Sequence, residues 1–378
     1  MRIRGNYFLK CIDFRIGAAL LRLLGFFAKK NPVLPSHYSS IFIIKLSAIG
    51  DTILLMPAIK AIRSQFPNAT ITVMGSKVNH DILSRCPYID RIISLSIPDL
   101  FKKPVTIVKN IRSIRPKIVI DFDQWLRITP LLAFASGAPY RIGFKTTGQK
   151  RHFLYTHYAD HDRNKHELMN FMQLLKPLGI EKPDTGLEFR IDPDDEKNAQ
   201  TILREIGITE NDSFVLIHPE TPAHGIQRQW PGEWYKEVSK QITAESHYKT
   251  VISGTKMEFE SNSRLFAGMA PDVVILPPVS LSRFAAVMKK SALLLCGNTG
   301  IMHLACALNV PVIALHGPTN PHQWGPLGKN SRAICSKLKC SPCLYLGFEY
   351  GCSKNSCMKS ITVDMVVKEI WLSLSNKL

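Results

Sequence analysis

This 378-residue chain has no apolar run long enough to cross a bilayer. It has no low-complexity segment and no residue-level internal repeat, which excludes a disordered tract or a solenoid. Acidic residues are few, 30 against 48 Lys and Arg, and the formal charge is +18. Long Lys/Arg runs and a repeat of aromatics are both missing, so the charge does not read as a nucleic-acid track and no nucleic-acid partner is expected. Histidines at 166, 218, 303, 316 and 322 lack His-x-x-x-His spacing, so a zinc-protease type of site is not expected. No small-x-small cleavage site follows the first apolar stretch, and Arg15 and Arg22 interrupt it, which disfavours a secretory signal. The nine cysteines are odd in number and, without such a signal, suggest a reducing compartment.

What is present fits two domains of ordinary size, each with enough of the 45% hydrophobic residues for a core. Apolar strands alternate with helical segments from Ile41 onward, which implies mostly parallel sheets. A polar, Pro-rich and acidic stretch at 179–195 reads as the boundary. The expected layout is an amphipathic extension and linker (1–40), a first α/β domain (41–190), a second (191–360) and a terminal helix (361–378). In the extension, Arg15, Arg22 and Lys29 lie seven apart among bulky apolar residues. That is the pattern of a helix lying in an anionic membrane surface; packing on the protein itself is the alternative.

The most informative stretch is residues 292–328. A strand ends in Gly297-Asn298-Thr299-Gly300, a helix follows, and a second strand ends in His316-Gly317-Pro318-Thr319. Turns at the carboxyl edge of a parallel sheet are where α/β folds bind ligands, and free amides at a helix start favour phosphate. The first half has a counterpart in Lys45-Leu46-Ser47-Ala48-Ile49-Gly50-Asp51-Thr52. There Gly50 permits close backbone approach, and Asp51 is either a carboxylate at the sheet mouth or a helix cap. Asp121-Phe122-Asp123 is read as a strand-end turn, with a metal-binding Asp-x-Asp as the rival. Cys340, Cys343, Cys352 and Cys357 have the spacing of a four-thiolate structural metal site, with disulfides or packed thiols as alternatives.

Over residues 41–370 the chain resembles glycosyltransferase family nine, the heptosyltransferase family of lipopolysaccharide assembly. The resemblance rests on Lys45…Ser47-x-x-Gly50-Asp51, Arg141-Ile142-Gly143-Phe144, His166-Glu167 and Trp230-Pro231-x-x-Trp234. It continues through Asn298-Thr299-Gly300-Ile301-Met302-His303-Leu304-Ala305, Gly317-Pro318-Thr319-x-Pro321-x-x-Trp324-Gly325-Pro326, Cys340-x-Pro342-Cys343 and Cys357-Met358. It implies an α/β fold of the GT-B kind, two Rossmann-like domains facing a cleft, with the terminal helix crossing back to the first. It implies inverting, metal-independent transfer with no cofactor, Asp51 as general base, and a donor held by Arg228, Glu258, Asn298, Thr299, Gly300 and His303. ADP-heptose is the leading donor. Ser47, Gly50, Arg141 and Lys145 are expected at an anionic, lipid-linked saccharide acceptor on the inner face of the cytoplasmic membrane. Two departures stand out: Arg228 replaces the usual lysine, and Asn298 replaces the usual aspartate. A transferase for another nucleotide sugar, a sugar-nucleotide epimerase and a non-catalytic nucleotide-sugar-binding protein at the membrane are the rivals.

Overall fold

The computed structural model describes residues 13–28, 31–46, 48–219, 227–344 and 354–375. The chain divides into two compact units, one ending at Glu188 and the other beginning at Phe189.

The first unit contains β1 (Ser40–Lys45), β2 (Thr70–Ser76), β3 (Arg91–Leu95), β4 (Ile118–Asp121), β5 (Tyr140–Lys145) and β6 (His157–Asp160). They form one parallel sheet in the order β3-β2-β1-β4-β5-β6. β1 and β4 are apolar almost throughout because both faces of a central parallel strand are covered, and Ile41, Phe42, Ile43, Ile44, Ile118, Val119 and Ile120 are wholly buried. Each such side chain contributes about 1.5–3 kcal/mol. The second unit repeats the plan with β7 (Phe214–His218), β8 (Lys249–Ile252), β9 (Val273–Ile275), β10 (Leu293–Gly297), β11 (Val312–His316) and β12 (Arg332–Cys335). Its order, β12-β11-β10-β7-β8-β9, is the same topology read from the other edge. Both sheets therefore reverse strand order between their first and fourth strands, and the carboxyl ends flanking that reversal are where such folds bind ligands.

Seven helices matter here: α1 (Ala18–Gly25), α2 (Ile49–Gln65), α3 (Glu167–Gln173), α4 (Gly232–Glu245), α5 (Phe259–Leu265), α6 (Gly300–Ala307) and α7 (Val363–Ser375). Pro57 sits inside α2 without ending it. α1 turns Gly17, Leu21, Gly25 and Ala28 toward the first unit, with Gly25 against Phe153 of the 3-10 turn Arg151–Leu154. Ile16, Leu20, Leu23, Phe26 and Phe27 are exposed, as are Arg15 and Arg22. Lys29 lies outside the described residues. Among those residues no helix is long and apolar enough to cross a membrane.

The terminal helix packs on the core of the second unit. Val366, Val367, Ile370 and Leu374 of α7 join the core beneath α4, β10 and β11. Trp230 explains why: it is fully buried, stacks edge-on with Trp234 and Tyr235, and donates its indole N–H to Ile361 O at 2.8 Å.

Candidate active site

In the first unit the reversal falls between β1 and β4, and the residues just past those strands meet. Ala48 starts α2 with φ +58° and ψ 130°, a conformation that costs a non-glycine residue about 1–3 kcal/mol and is typical of functional turns. No side chain caps this helix. Asp51, in its first turn, instead reaches the strand ends. Its Oδ2 accepts from Lys45 Nζ at 2.9 Å and from Gln124 Nε2 at 3.3 Å. Every hydrogen bond described at Asp51 falls on that one oxygen, and the side chain keeps 13% of its surface exposed.

Lys45 is wholly buried. Its ammonium also donates to Gln124 Oε1 at 3.0 Å and lies 3.5 Å from Asp123 Oδ1. Gln124 Nε2 donates to Glu167 Oε1 of α3 at 2.5 Å, and both Glu167 oxygens lie within 3.0 Å of His161 Nε2. Burial pushes the Asp51 carboxyl above its ordinary value, more than the Lys45 charge pulls it down, and Glu167 adds to the rise. Glu167 is held below its ordinary value: burial opposes this, but His161, Gln124 and Lys45 outweigh it. Burial works to lower the Lys45 amine, and the facing carboxylates Asp51, Asp123 and Glu167 raise it on balance. A partly exposed carboxylate with elevated proton affinity, one oxygen tied and one unbound among the described residues, can take a proton from an alcohol.

Asp121 and Asp123 are spent on structure. Asp121 accepts from Arg151 at 2.8 Å, Tyr155 Oη at 2.5 Å and the Asp123 amide at 3.0 Å; Asp123 accepts from the Leu46 amide at 2.6 Å. Of the expected acceptor residues, Gly50 is buried in the first turn of α2 and Ser47 lies outside the described residues. Arg141 is buried and donates to the carbonyls of Leu154 and Ala138, a brace between loops. Lys145 is exposed and pairs with Asp160 at 3.3 Å. Charge alone could not separate the buried arginine from the exposed lysine. Gln124, Glu167 and His161 escaped sequence reasoning as a group because tertiary folding alone joins them; His166-Glu167 was the sole hint.

In the second unit the reversal falls between β7 and β10. Arg228, buried, donates to Asn298 O at 2.8 Å and approaches Asn298 Oδ1 at 3.4 Å. Asn298 Nδ2 donates to Trp324 O at 3.1 Å and lies 3.4 Å from His316 Nε2, whose Nδ1 is 3.1 Å from Thr319 Oγ1. Asn298 thus ties the two sheet-edge turns together, and its amide supplies a donor that a carboxylate lacks. Thr299 precedes α6, its side chain does not cap the helix, and its buried Oγ1 has no partner among the described residues. The first amides of α6, from Gly300 on, have no partner within the helix and form an anion-binding end. His303 is buried on that helix. Glu258, half-buried ahead of α5, accepts the Thr255 amide at 2.7 Å.

Among the described residues Cys86, Cys296, Cys306, Cys335 and Cys340 are free thiols; Cys11 and Cys352 lie outside the described residues. Among the described residues no group of three or more His, Cys, Asp or Glu is arranged to hold a metal. Cys357-Met358 has a packing role: Met358 fills the space a Cβ at Gly317 would occupy.

A pair of doubly wound sheets, one presenting a carboxylate at its reversal and the other an arginine beside a helix start, defines an α/β protein of two Rossmann-like units with a ligand-binding edge on each. The sequence family described as glycosyltransferase family 9 (heptosyltransferase) matches residues 106–353, and the chain belongs to that family. Lipopolysaccharide heptosyltransferase 1 of Escherichia coli (strain K12) is 25% identical over 308 residues, covering 78% of this chain and 92% of the relative. A family 9 glycosyltransferase structure from Veillonella parvula DSM 2008 aligns with TM-score 0.76 at 23% identity over 91% of this chain and 99% of its own. The structure of E. coli heptosyltransferase WaaC with ADP-2-deoxy-2-fluoro heptose aligns with TM-score 0.65 at 21% identity over 88% of this chain and 99% of its own.

Proposed function

We propose that this enzyme transfers a heptosyl group from ADP-heptose to a lipopolysaccharide-core acceptor with inversion at the anomeric carbon. The observation that carries the reading is Asp51: it stands at the reversal of the first sheet with Oδ2 tied and surface still open. In this reading its carboxylate removes the acceptor hydroxyl's proton as that oxygen attacks the anomeric carbon and the bond to the diphosphate breaks on the opposite face. A base so placed contributes roughly 10²–10⁴-fold. The negative charge left on the diphosphate meets Arg228 and the first amides of α6, so no divalent cation is needed for chemistry. Glu258 takes the nucleotide ribose, while Asn298 and His303 line the donor side. Ser47, Gly50 and Lys145 belong to the acceptor side; Arg141 serves there by holding the Leu154 and Ala138 loops. The relatives, which are lipopolysaccharide heptosyltransferases, and the ADP-heptose analogue in the E. coli structure support the donor and acceptor classes.

The acceptor is lipid-linked, and the enzyme works at the cytoplasmic face of the inner membrane, held there by α1. Its apolar outer face with flanking arginines supports this.

The test is transfer from ADP-heptose to heptose-deficient lipopolysaccharide, followed by ADP release, with the product's anomeric configuration read by NMR. Asp51→Asn abolishes transfer and leaves donor affinity within about threefold, since the general base acts on the acceptor rather than the donor. EDTA leaves the rate unchanged. Transfer by Asp51→Asn near the wild-type rate overturns the assignment.

A further inference from the structure

One side chain in the first unit has a hydrogen-bonding pattern that only its own chemistry satisfies. The Gln124 amide has one acceptor and two donors. Its Oε1 faces the ammonium of Lys45 at 3.0 Å, and its Nε2 faces Asp51 Oδ2 at 3.3 Å and Glu167 Oε1 at 2.5 Å. Flipping the amide would aim its NH₂ at a cation and its oxygen at two carboxylates, so its orientation is fixed. The residue is wholly buried, and its main-chain oxygen accepts from Thr146 Oγ1 at 2.7 Å, which pins the backbone as well. A glutamate here would add a fourth carboxylate to Asp51, Asp123 and Glu167; a methionine would offer no donor.

We propose that Gln124 is a positioning residue for the transfer reaction: it holds Asp51 by Oδ2 and shields it from Glu167, leaving Oδ1 to receive the acceptor's proton. This rests on Asp51 being the general base. The charged and titratable groups around Asp51 come from four places: Lys45 at the end of β1, Asp123 beside Gln124 after β4, Glu167 on α3 and His161 after β6. Gln124 is neutral and bonds to Asp51 and to two of these groups, Lys45 and Glu167. Its bond to Asp51 favours the ionised carboxylate, against the burial that favours the protonated one. Loss of that bond moves Asp51 toward protonation and frees its rotation.

The experiment compares wild type, Asp51→Asn, Gln124→Met and Gln124→Glu in the full chain, measuring kcat and donor KM across pH with ADP-heptose and heptose-deficient lipopolysaccharide. Gln124→Met is expected to lower kcat about tenfold at neutral pH, a fraction of what a general base supplies. Donor KM stays within about twofold, because this site handles the acceptor's proton and not the donor. The acid limb of kcat moves to higher pH. Gln124→Glu, of nearly identical size, moves the limb the same way through its added charge, and it decides the matter if Gln124→Met fails to fold. A loss of activity uniform across pH, or an unmoved limb with kcat near wild type, overturns the positioning role. If that happens while Asp51→Asn is inactive, the base assignment stands and only the role of Gln124 falls. If Asp51→Asn is active, both fall.

Discussion

Lys45 Nζ lies 2.9 Å from Asp51 Oδ2, the lysine wholly shielded from solvent and the aspartate not. The cation is built into the sheet end while the carboxylate keeps an open side. Lys45→Met leaves Asp51, Asp123 and Glu167 without their shared cation. The acid limb of kcat then moves to higher pH. Removing one partner of a buried pair costs about 3–5 kcal/mol. Because the cost comes from ionised carboxylates, urea unfolding should show the deficit at pH 7 and a smaller one as falling pH protonates Asp51. A deficit that does not shrink with pH counts against this account.

The Asp121–Arg151 pair is buried on both sides at 2.8 Å. Arg151→Met strands a carboxylate beneath Tyr155 and should destabilise the first unit by about 3–5 kcal/mol. Adding Asp121→Asn should return part of that loss, because the uncompensated charge goes with it. A double variant as unstable as the sum of the singles would contradict the pairing.

His316 is held neutral. Burial first, and then the Arg228 charge, bring its pKa down to about 3. An unfolded histidine titrates near 6.5. Between those values the unfolded chain binds a proton that the folded chain refuses, so the contribution is full above about pH 6.5 and is lost as pH falls toward 3. His316→Gln should therefore flatten the decline in stability between pH 7 and 5. The same slope in both proteins would show that His316 does not carry it.

On α1 the outer residues Leu20, Leu23 and Phe27 are exposed while Leu21 is buried. Replacing all three by glutamate should abolish co-sedimentation with anionic phosphatidylglycerol vesicles and leave the thermal midpoint unchanged. Arg15→Gln with Arg22→Gln should weaken binding about fivefold for each charge, from about 1 kcal/mol per basic residue near such a surface. Vesicle binding that survives the glutamates would place the membrane contact elsewhere.

Much of this was legible in the residues. The strands at 41–45, 70–74, 118–122, 214–218 and 293–296 are apolar runs that stand close to where β1, β2, β4, β7 and β10 formed, because central parallel strands are buried on both faces. β6 and β12 went unread: His157–Asp160 and Arg332–Cys335 are four-residue edge strands, too short to show a pattern of their own, and their pairing comes from the neighbouring strand. Asp51 was visible because a turn motif surrounds it. Whether it capped its own helix was not, since the answer depends on Lys45 and Gln124, the latter 73 residues away. Arg141 was read by charge as an acceptor-side residue; that its guanidinium also braces two carbonyls is something no local pattern announces.

The recognised family span opens at residue 106 and closes at 353, whereas the folded units extend past both ends. An expression fragment cut to those limits would lose β1, β2 and β3, and with them Lys45 and Asp51, the lysine and the proposed general base. It would also discard the final helix and leave the Trp230 indole with no carbonyl to bond. Truncation should therefore follow the two sheets and their cores, from before Ser40 through Leu374, and not the borders of detectable kinship.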